Sequence, residues 1–407
     1  MISLRSTTLA LLTALAIGSC GRAGTPTAVT ITSPPLSPSQ MSSNTPSTLP
    51  SLTSKATLPN SVLPICQSPI DIELGEITLT FAAEWDGDDE IYIIQADGSN
   101  LTQLTFNTSG DVSPTWSPDG QQIAYIVEAY TKPSLYISNP DGSGGRIAPS
   151  SLEVSSIEAV WSPGGDKMAF RNMGDLYVVD VETGEVVNLT RAIDFAVGMP
   201  RFSHDGSMLA FRANVLGEIP QFRLFVVNVD GTGLRELSFP QGDVYEFSWH
   251  PLEEQILFYG TSQAEGTRLY AASPDGTIID LGIDGHYRPP LPALSPDGTM
   301  FVYIMRSSSP PLEPGGFPLT LDILHVATVG LDVDIVLLQP PEDPNDEFYI
   351  SNTIWAPDSR HIAYTIPSES GGFGEVDLFV LDICDGSSTL VVEAIDTYST
   401  PSWRPLP

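Results

Sequence analysis

From about residue 79 onward, short apolar runs alternate with tight turns. Ile123-Ala124-Tyr125-Ile126, Met168-Ala169-Phe170, Leu209-Ala210-Phe211, Ile256-Leu257-Phe258, Phe301-Val302-Tyr303 and Ile362-Ala363-Tyr364 each follow a polar turn. A second set includes Leu135-Tyr136-Ile137, Leu176-Tyr177-Val178, Leu224-Phe225-Val226 and Leu378-Phe379-Val380. Several of its members run into Asp-Gly pairs at 141–142, 230–231, 275–276 and 385–386. Short β-branched and aromatic runs bounded by such pairs predict strands joined by hairpins. Shorter runs, such as Val187-Asn188-Leu189 and Leu234-Arg235-Glu236-Leu237, predict a fourth strand in each unit.

The units repeat. Trp116-Ser117-Pro118-Asp119-Gly120 returns around Trp161, Phe202, Trp249, Leu294, Trp355 and Trp403, at intervals of 45, 41, 47, 45, 61 and 48 residues. Ser-Pro-Asp-Gly suits a type I turn, with Pro fixing φ and Gly taking the exit. A period in the forties with four short strands per unit predicts a β-propeller. Residues 79–106 hold the last three strands of a unit, and Ser399–Pro407 holds a leading strand with nothing after it. The expectation is therefore an all-β, seven-bladed β-propeller of four-stranded antiparallel blades, its ring closed by pairing the C-terminal strand with the N-terminal blade. The large residue before each Ser-Pro is expected to fill the space between blades.

The N-terminal residues read differently. Arg5 precedes an apolar stretch, Leu9–Ile17, too short to span a bilayer. Ile17-Gly18-Ser19-Cys20 resembles the lipobox of bacterial lipoproteins, which implies a signal peptide over 1–20 and lipidation of Cys20 as the only membrane attachment. From Gly21 to Ile65, 25 of 45 residues are Ser, Thr or Pro and none is acidic, which predicts a disordered tether. The propeller is expected over 66–407.

Composition narrows the function. All 50 acidic residues lie beyond Cys66, against 14 of the 17 Lys and Arg, so the folded part should repel nucleic acid and anionic lipid. Three Cys and five His, at no ligand spacing, predict neither metal nor cofactor. The acidic run Glu84–Glu90 lacks the EF-hand spacing and reads as a solvated hairpin loop.

The run Asp89–Thr105, leading into Pro114-Thr115-Trp116-Ser117-Pro118-Asp119-Gly120, is similar to the repeats of TolB-like propellers. The resemblance covers about 330 residues and implies the fold; its repeat residues build the scaffold. TolB itself resembles a six-bladed ring behind an N-terminal α/β domain, which 21–65 does not supply. Related propellers precede prolyl oligopeptidase-type hydrolases, yet the chain has no G-x-S-x-G motif.

Sequence variety falls on the face opposite the Ser-Pro-Asp-Gly turns, including an insertion at Ser307–Pro318. The inter-blade loops there pair a carboxylate with an aromatic: Asp194 with Phe195, Asp243 with Tyr245, Glu347 with Tyr349, Asp396 with Tyr398, and His286-Tyr287-Arg288 after Asp284. These residues are the candidate binding set at the channel mouth, suited to a basic or polar peptide, a cation or a sugar ring. With Cys20 lipidated, Cys66 and Cys384 remain as an even pair outside the cytoplasm and are expected to form a disulfide across the ring's seam, the alternative being two free buried thiols. The resulting reading is a monomeric, non-enzymatic lipoprotein, periplasmic or extracellular, that binds a protein or peptide partner in the envelope. The alternative is a carbohydrate-binding or carbohydrate-cleaving propeller using the same mouth, polysaccharide lyase-like or hydrolase-related.

Overall fold

Each Ser-Pro-Asp-Gly segment closes on itself before the next strand begins. In the first, Gly120 N–H donates to the Ser117 carbonyl at 2.8 Å, and Ser117 Oγ and Gln121 N–H both donate to Asp119 Oδ1. Gly120, Gly165, Gly206 and Gly298 have φ of +64° to +70°, and at the corresponding place in the last such turn Ser359 has +57°. These turns deliver strands whose apolar residues are largely buried.

The result, in a computed structural model, is seven four-stranded antiparallel sheets with strands numbered β1–β28 in chain order. The structure describes residues 63, 66, 72–85, 87–128, 133–148, 159–191, 196–215, 221–237, 242–262, 266–285, 293–308, 320–329, 333–339, 348–368, 374–396 and 400–406, all within the compact unit Leu52–Pro407. The lipobox, the tether up to residue 62 and most of the 307–318 insertion lie outside them. Among the described residues no helix is long and apolar enough to cross a membrane.

Blade 1 holds β1 (Thr78–Ala83), β2 (Glu90–Gln95) and β3 (Thr102–Gln103). The remaining blades begin at β4 (Gly110–Trp116), β8 (Ala159–Trp161), β12 (Ala196–Phe202), β16 (Gly242–Trp249), β20 (Ala293–Leu294) and β24 (Asn352–Trp355). The final strand, β28 (Ser402–Trp403), pairs antiparallel with β1 and completes blade 1, as the truncated repeats at the two ends predict. The leading strands of neighbouring blades lie against one another, so they form the inner wall of the ring.

Seven apolar clusters fill the interfaces between blades. The repeat tryptophans stand in them and also bond across. Trp161, Trp249, Trp355 and Trp403 each donate from Nε1 to a carbonyl of the preceding blade, those of Thr115, Arg201, Ala293 and Ile354, at 2.8–3.3 Å. In every case the acceptor is the residue just before that blade's own repeat residue. The rule breaks at the seam. Among the described residues Trp116 Nε1 has no hydrogen-bond partner, and the Arg404 guanidinium instead lies 5.2 Å over its ring. Arg404 also donates from Nε to the Gly120 carbonyl at 3.1 Å and from N–H to the Thr78 carbonyl at 2.9 Å.

The N-terminal arm reinforces the seam. Cys66 and Cys384 form a disulfide with Cα atoms 5.4 Å apart, as expected from their parity and placement. Leu63, only 2% exposed, sits in the core between blades 6 and 7, while Ile72, Leu74 and Ile77 pack into the core between blades 7 and 1.

Candidate functional site

Of the expected mouth residues, Asp194, Phe195, His286, Tyr287, Arg288, Glu347 and Tyr398 lie outside the described residues, as does the side chain of Asp396 at the end of β27 (Ser388–Asp396). Asp243, Tyr245 and Tyr349 are described.

Asp243 and Tyr245 do not sit in a loop. They belong to β16 itself, in the inner wall, where a β-bulge shifts the register between Val244 and Phe247. A bulge adds one residue to one strand and re-aims the side chains around it. Similar shifts interrupt β4 between Val112 and Thr115 and β12 between Gly198 and Arg201. The leading strands of blades 2, 4 and 5 are thus all irregular near their loop-face ends.

Around the β16 bulge the structure assembles a small polar site with blade 4. Arg212 and Asn214 lie on one side of β13 (Met208–Val215), the side whose Ala210 packs against Val244, Phe247 and Trp249 of blade 5. Arg212 donates from Nη1 to the Tyr245 carbonyl, and its guanidinium stacks 4.5 Å over the Phe222 ring. Phe222 opens β14 (Gln221–Asn228), is 39% exposed, and donates its N–H to Asp243 Oδ1 at 2.8 Å. Among the described residues the buried Asn214 Oδ1 has no hydrogen-bond partner. Asp243 therefore clamps the neighbouring blade's backbone as well as supplying charge. The ring that faces solvent here is Phe222, which carries no local sequence signal.

Tyr349 is presented differently. Asp322 accepts Ile350 N–H on Oδ2 and donates its own N–H to the Phe348 carbonyl, both at 2.9 Å. Phe348 and Ile350 are buried, so the residue between them stands outward, 38% exposed. A second device repeats at Leu-Thr pairs. Thr105 Oγ1 accepts Ile91 N–H and Thr190 Oγ1 accepts Leu176 N–H, each at 2.9 Å. The residue after each Thr, Phe106 or Arg191, is exposed, Phe106 at 72%.

The acidic run Glu84–Glu90 forms the β1–β2 hairpin connection, as expected, but two of its residues are not simply solvated. Trp85 packs on Phe81 and Tyr92 and donates from Nε1 to the Ala394 carbonyl at 3.0 Å. Glu90 and Asp111 are fully buried. Burial pushes the Asp111 carboxyl up to about 6, opposed by the nearby polar groups of Thr105, Asn107 and Glu90; Asn107 Nδ2 donates to Asp111 Oδ2 at 2.5 Å. Burial, and then the charge of Asp111, push Tyr125 up to about 12. The loop is solvated at its tip, but its last acid is a core residue. Among the described residues no group of three or more His, Cys, Asp or Glu is placed to hold a metal ion.

A family model described as the TolB beta propeller domain matches residues 75–176. The chain is similar to a protein described as a TolB homolog from Chlorobium luteolum, 29% identical over 205 residues, covering 49% of this chain and 45% of that protein. It also matches a Tol-Pal system protein TolB from Desulfosudis oleivorans, 33% identical over 121 residues, covering 29% of this chain and 27% of that protein. The matches therefore span less than half the length of these relatives. An oligogalacturonate lyase from Vibrio parahaemolyticus shares the fold with a TM-score of 0.52 at 15% identity, over 71% of this chain and 82% of that one. Residues 75–176 thus match the TolB β-propeller model, and the ring of four-stranded blades around them is similar in fold to these proteins.

Proposed function

We propose that this chain is an exported, non-enzymatic propeller that binds a protein or peptide partner in the cell envelope, held to the membrane by lipid on Cys20 and set away from it by the 21–65 tether. The observation that carries this reading is the loop face. Phe106, Phe222 and Tyr349 are held outward there by fixed hydrogen bonds in three different parts of the ring. Large rings on a rigid frame bind with little ordering cost, because the closed sheets have already fixed them. The Desulfosudis relative bears the name of a Tol-Pal system protein, which favours an envelope partner. Asp243, Tyr245, Tyr349 and Asp396, with Asp194, Phe195, His286, Tyr287, Arg288, Glu347 and Tyr398, make up the rest of the proposed binding face.

The test is affinity capture from an envelope extract by the purified full chain, beside a variant carrying Phe106→Ala, Phe222→Ala and Tyr349→Ala. A prey protein retained by the parent and lost from the variant supports the reading. Equal capture by both moves the site off this face, and no prey from a folded parent sinks it. For the anchor, Cys20→Ala should shift the protein from the membrane to the soluble fraction.

A further inference from the structure

The loop-face end of blade 3 is a two-residue hairpin between β9 (Lys167–Asn172) and β10 (Asp175–Asp180), with Asn172 paired to Asp175. Both turn residues have positive φ, +48° at Met173 and +91° at Gly174. This is the backbone of a type I′ turn, whose preferred pair is Asn-Gly. A methionine is strained in that conformation, and this one stands 83% exposed at the tip. The hairpin would form more easily without it.

Two arginines flank the tip. Arg171 is half-buried on β9, on the same side as Ala169, which packs in the core between blades 3 and 4. Arg191 is exposed by the Leu-Thr device, just beyond Thr190. Among the described residues neither guanidinium has a hydrogen-bond or ion-pair partner, although the chain carries 50 acidic residues. Arg223, Arg268 and Arg360, in contrast, are paired with Glu236, Asp280 and Asp382. The nearby carboxylate, Asp175, is committed elsewhere: it accepts from Asn188 Nδ2 at 2.8 Å and from Thr190 Oγ1 at 3.2 Å. Removing a guanidinium from water without a partner is unfavourable, and a carboxylate is the group that matches its planar donors.

We propose that Arg171, Met173 and Arg191 form a docking point for an acidic segment of the protein partner, its carboxylates meeting the two guanidinium groups while an adjacent apolar side chain lies on the methionine. The thioether is flexible and polarizable and accommodates apolar groups of varied shape. This inference rests on the reading of the chain as a protein-binding propeller and specifies the chemistry of one part of the partner. It also reverses the expectation from overall charge, since a net −33 favours basic ligands. At physiological ionic strength charges beyond about 8 Å are screened, so the arginines at the contact decide the local preference.

The test uses the purified full chain and fluorescein-labelled peptides of alternating glutamate and leucine, glutamine and leucine, or lysine and leucine, read by fluorescence polarization. The glutamate peptide should bind the parent more tightly than the glutamine peptide. Arg171→Gln with Arg191→Gln should weaken the glutamate peptide about tenfold or more, as expected for loss of charge-assisted pairs, without weakening the lysine peptide. Met173→Asn separates docking from folding: Asn suits the left-handed region, so the melting midpoint should hold or rise while glutamate-peptide binding falls. The proposal is overturned if the glutamate peptide does not bind the parent, if the glutamine peptide binds equally well, or if the arginine or methionine variants bind it unchanged. Ring-dependent capture of an envelope protein alongside a failed glutamate-peptide assay would remove this inference and leave the broader function standing.

Discussion

Asp111 illustrates how a single residue links burial to pH. Its folded-state carboxyl is raised from 3.8 to about 6, chiefly by desolvation. Below about pH 4 it is protonated in both states and contributes nothing. Between pH 4 and 6 the unfolded chain releases the proton that the folded chain keeps, so stability declines with rising pH. Above 6 the cost is constant, about 3 kcal/mol at most for a two-unit shift. Asp111→Asn should therefore stabilise the protein by roughly 1–3 kcal/mol at pH 7.5 and change little at pH 4. Urea denaturation at the two pH values checks this, and an equal effect at both would contradict it. The repeat tryptophans offer a second residue-scale test. Trp161→Phe removes the bond to the Thr115 carbonyl but keeps a ring, as Phe202 does naturally in blade 4. It should cost about 1–2 kcal/mol, against about 3–5 for Trp161→Ala.

At the scale of elements, the Ser-Pro-Asp-Gly turns differ in how closely their neighbours approach. A Cβ on Gly165 would stand 3.6 Å from Pro118 Cδ, an ordinary contact, whereas on Gly298 it would stand 2.6 Å from Cε1 of the buried His250. His250 occupies the position that Ser holds in other repeats, and its Nε2 lies 3.1 Å from the Gly298 carbonyl while its Nδ1 accepts Leu252 N–H. Both glycines have φ of +70°, so Gly→Ala carries the same backbone strain of about 1–2 kcal/mol at each. Gly298→Ala should lower the thermal midpoint clearly further than Gly165→Ala, and equal shifts would mean that His250 yields without cost. These turns were the legible part of the sequence, because Pro, Asp and Gly act locally and recur in register. The bulge in β16 is hard to read because it appears only as a three-residue gap in the apolar pattern, Val244 to Phe247, which fits a loop running into a strand as well as it fits a bulged strand. The Arg212–Phe222 stack was also hidden, because strand pairing across blade 4 brings the two together. Glu90 is hidden for a different reason: it ends an acidic run yet is the first residue of β2, paired with Ala83 and fully buried.

For the whole molecule, the decisive property is that two independent links close one ring. Pairing of β28 with β1, fastened by Arg404 on Gly120 and Trp116, joins blade 1 to itself across the chain ends. The Cys66–Cys384 disulfide ties the arm leading into β1 to blade 7, with Leu63 buried beside it. Loop-closure arithmetic for a separation of 318 residues puts such a cross-link at roughly 5–6 kcal/mol, but the strands already close the same circuit, so about 2–4 is expected for Cys66→Ser with Cys384→Ser. The same redundancy predicts coupling. With the disulfide intact, losing Arg404 loosens β28 while blade 1 stays tethered to blade 7, and the opening remains local. Without the disulfide, a loosened β28 leaves blade 1 held to blade 7 only by packing, and the exposed edge of β1 can pair with a second chain. A double-mutant cycle of Arg404→Ala with the cysteine pair should therefore be more than additive, by about 1 kcal/mol or more, with concentration-dependent association appearing only in the combined variant. Additivity within about 0.5 kcal/mol would show instead that the two links protect separate parts of the ring.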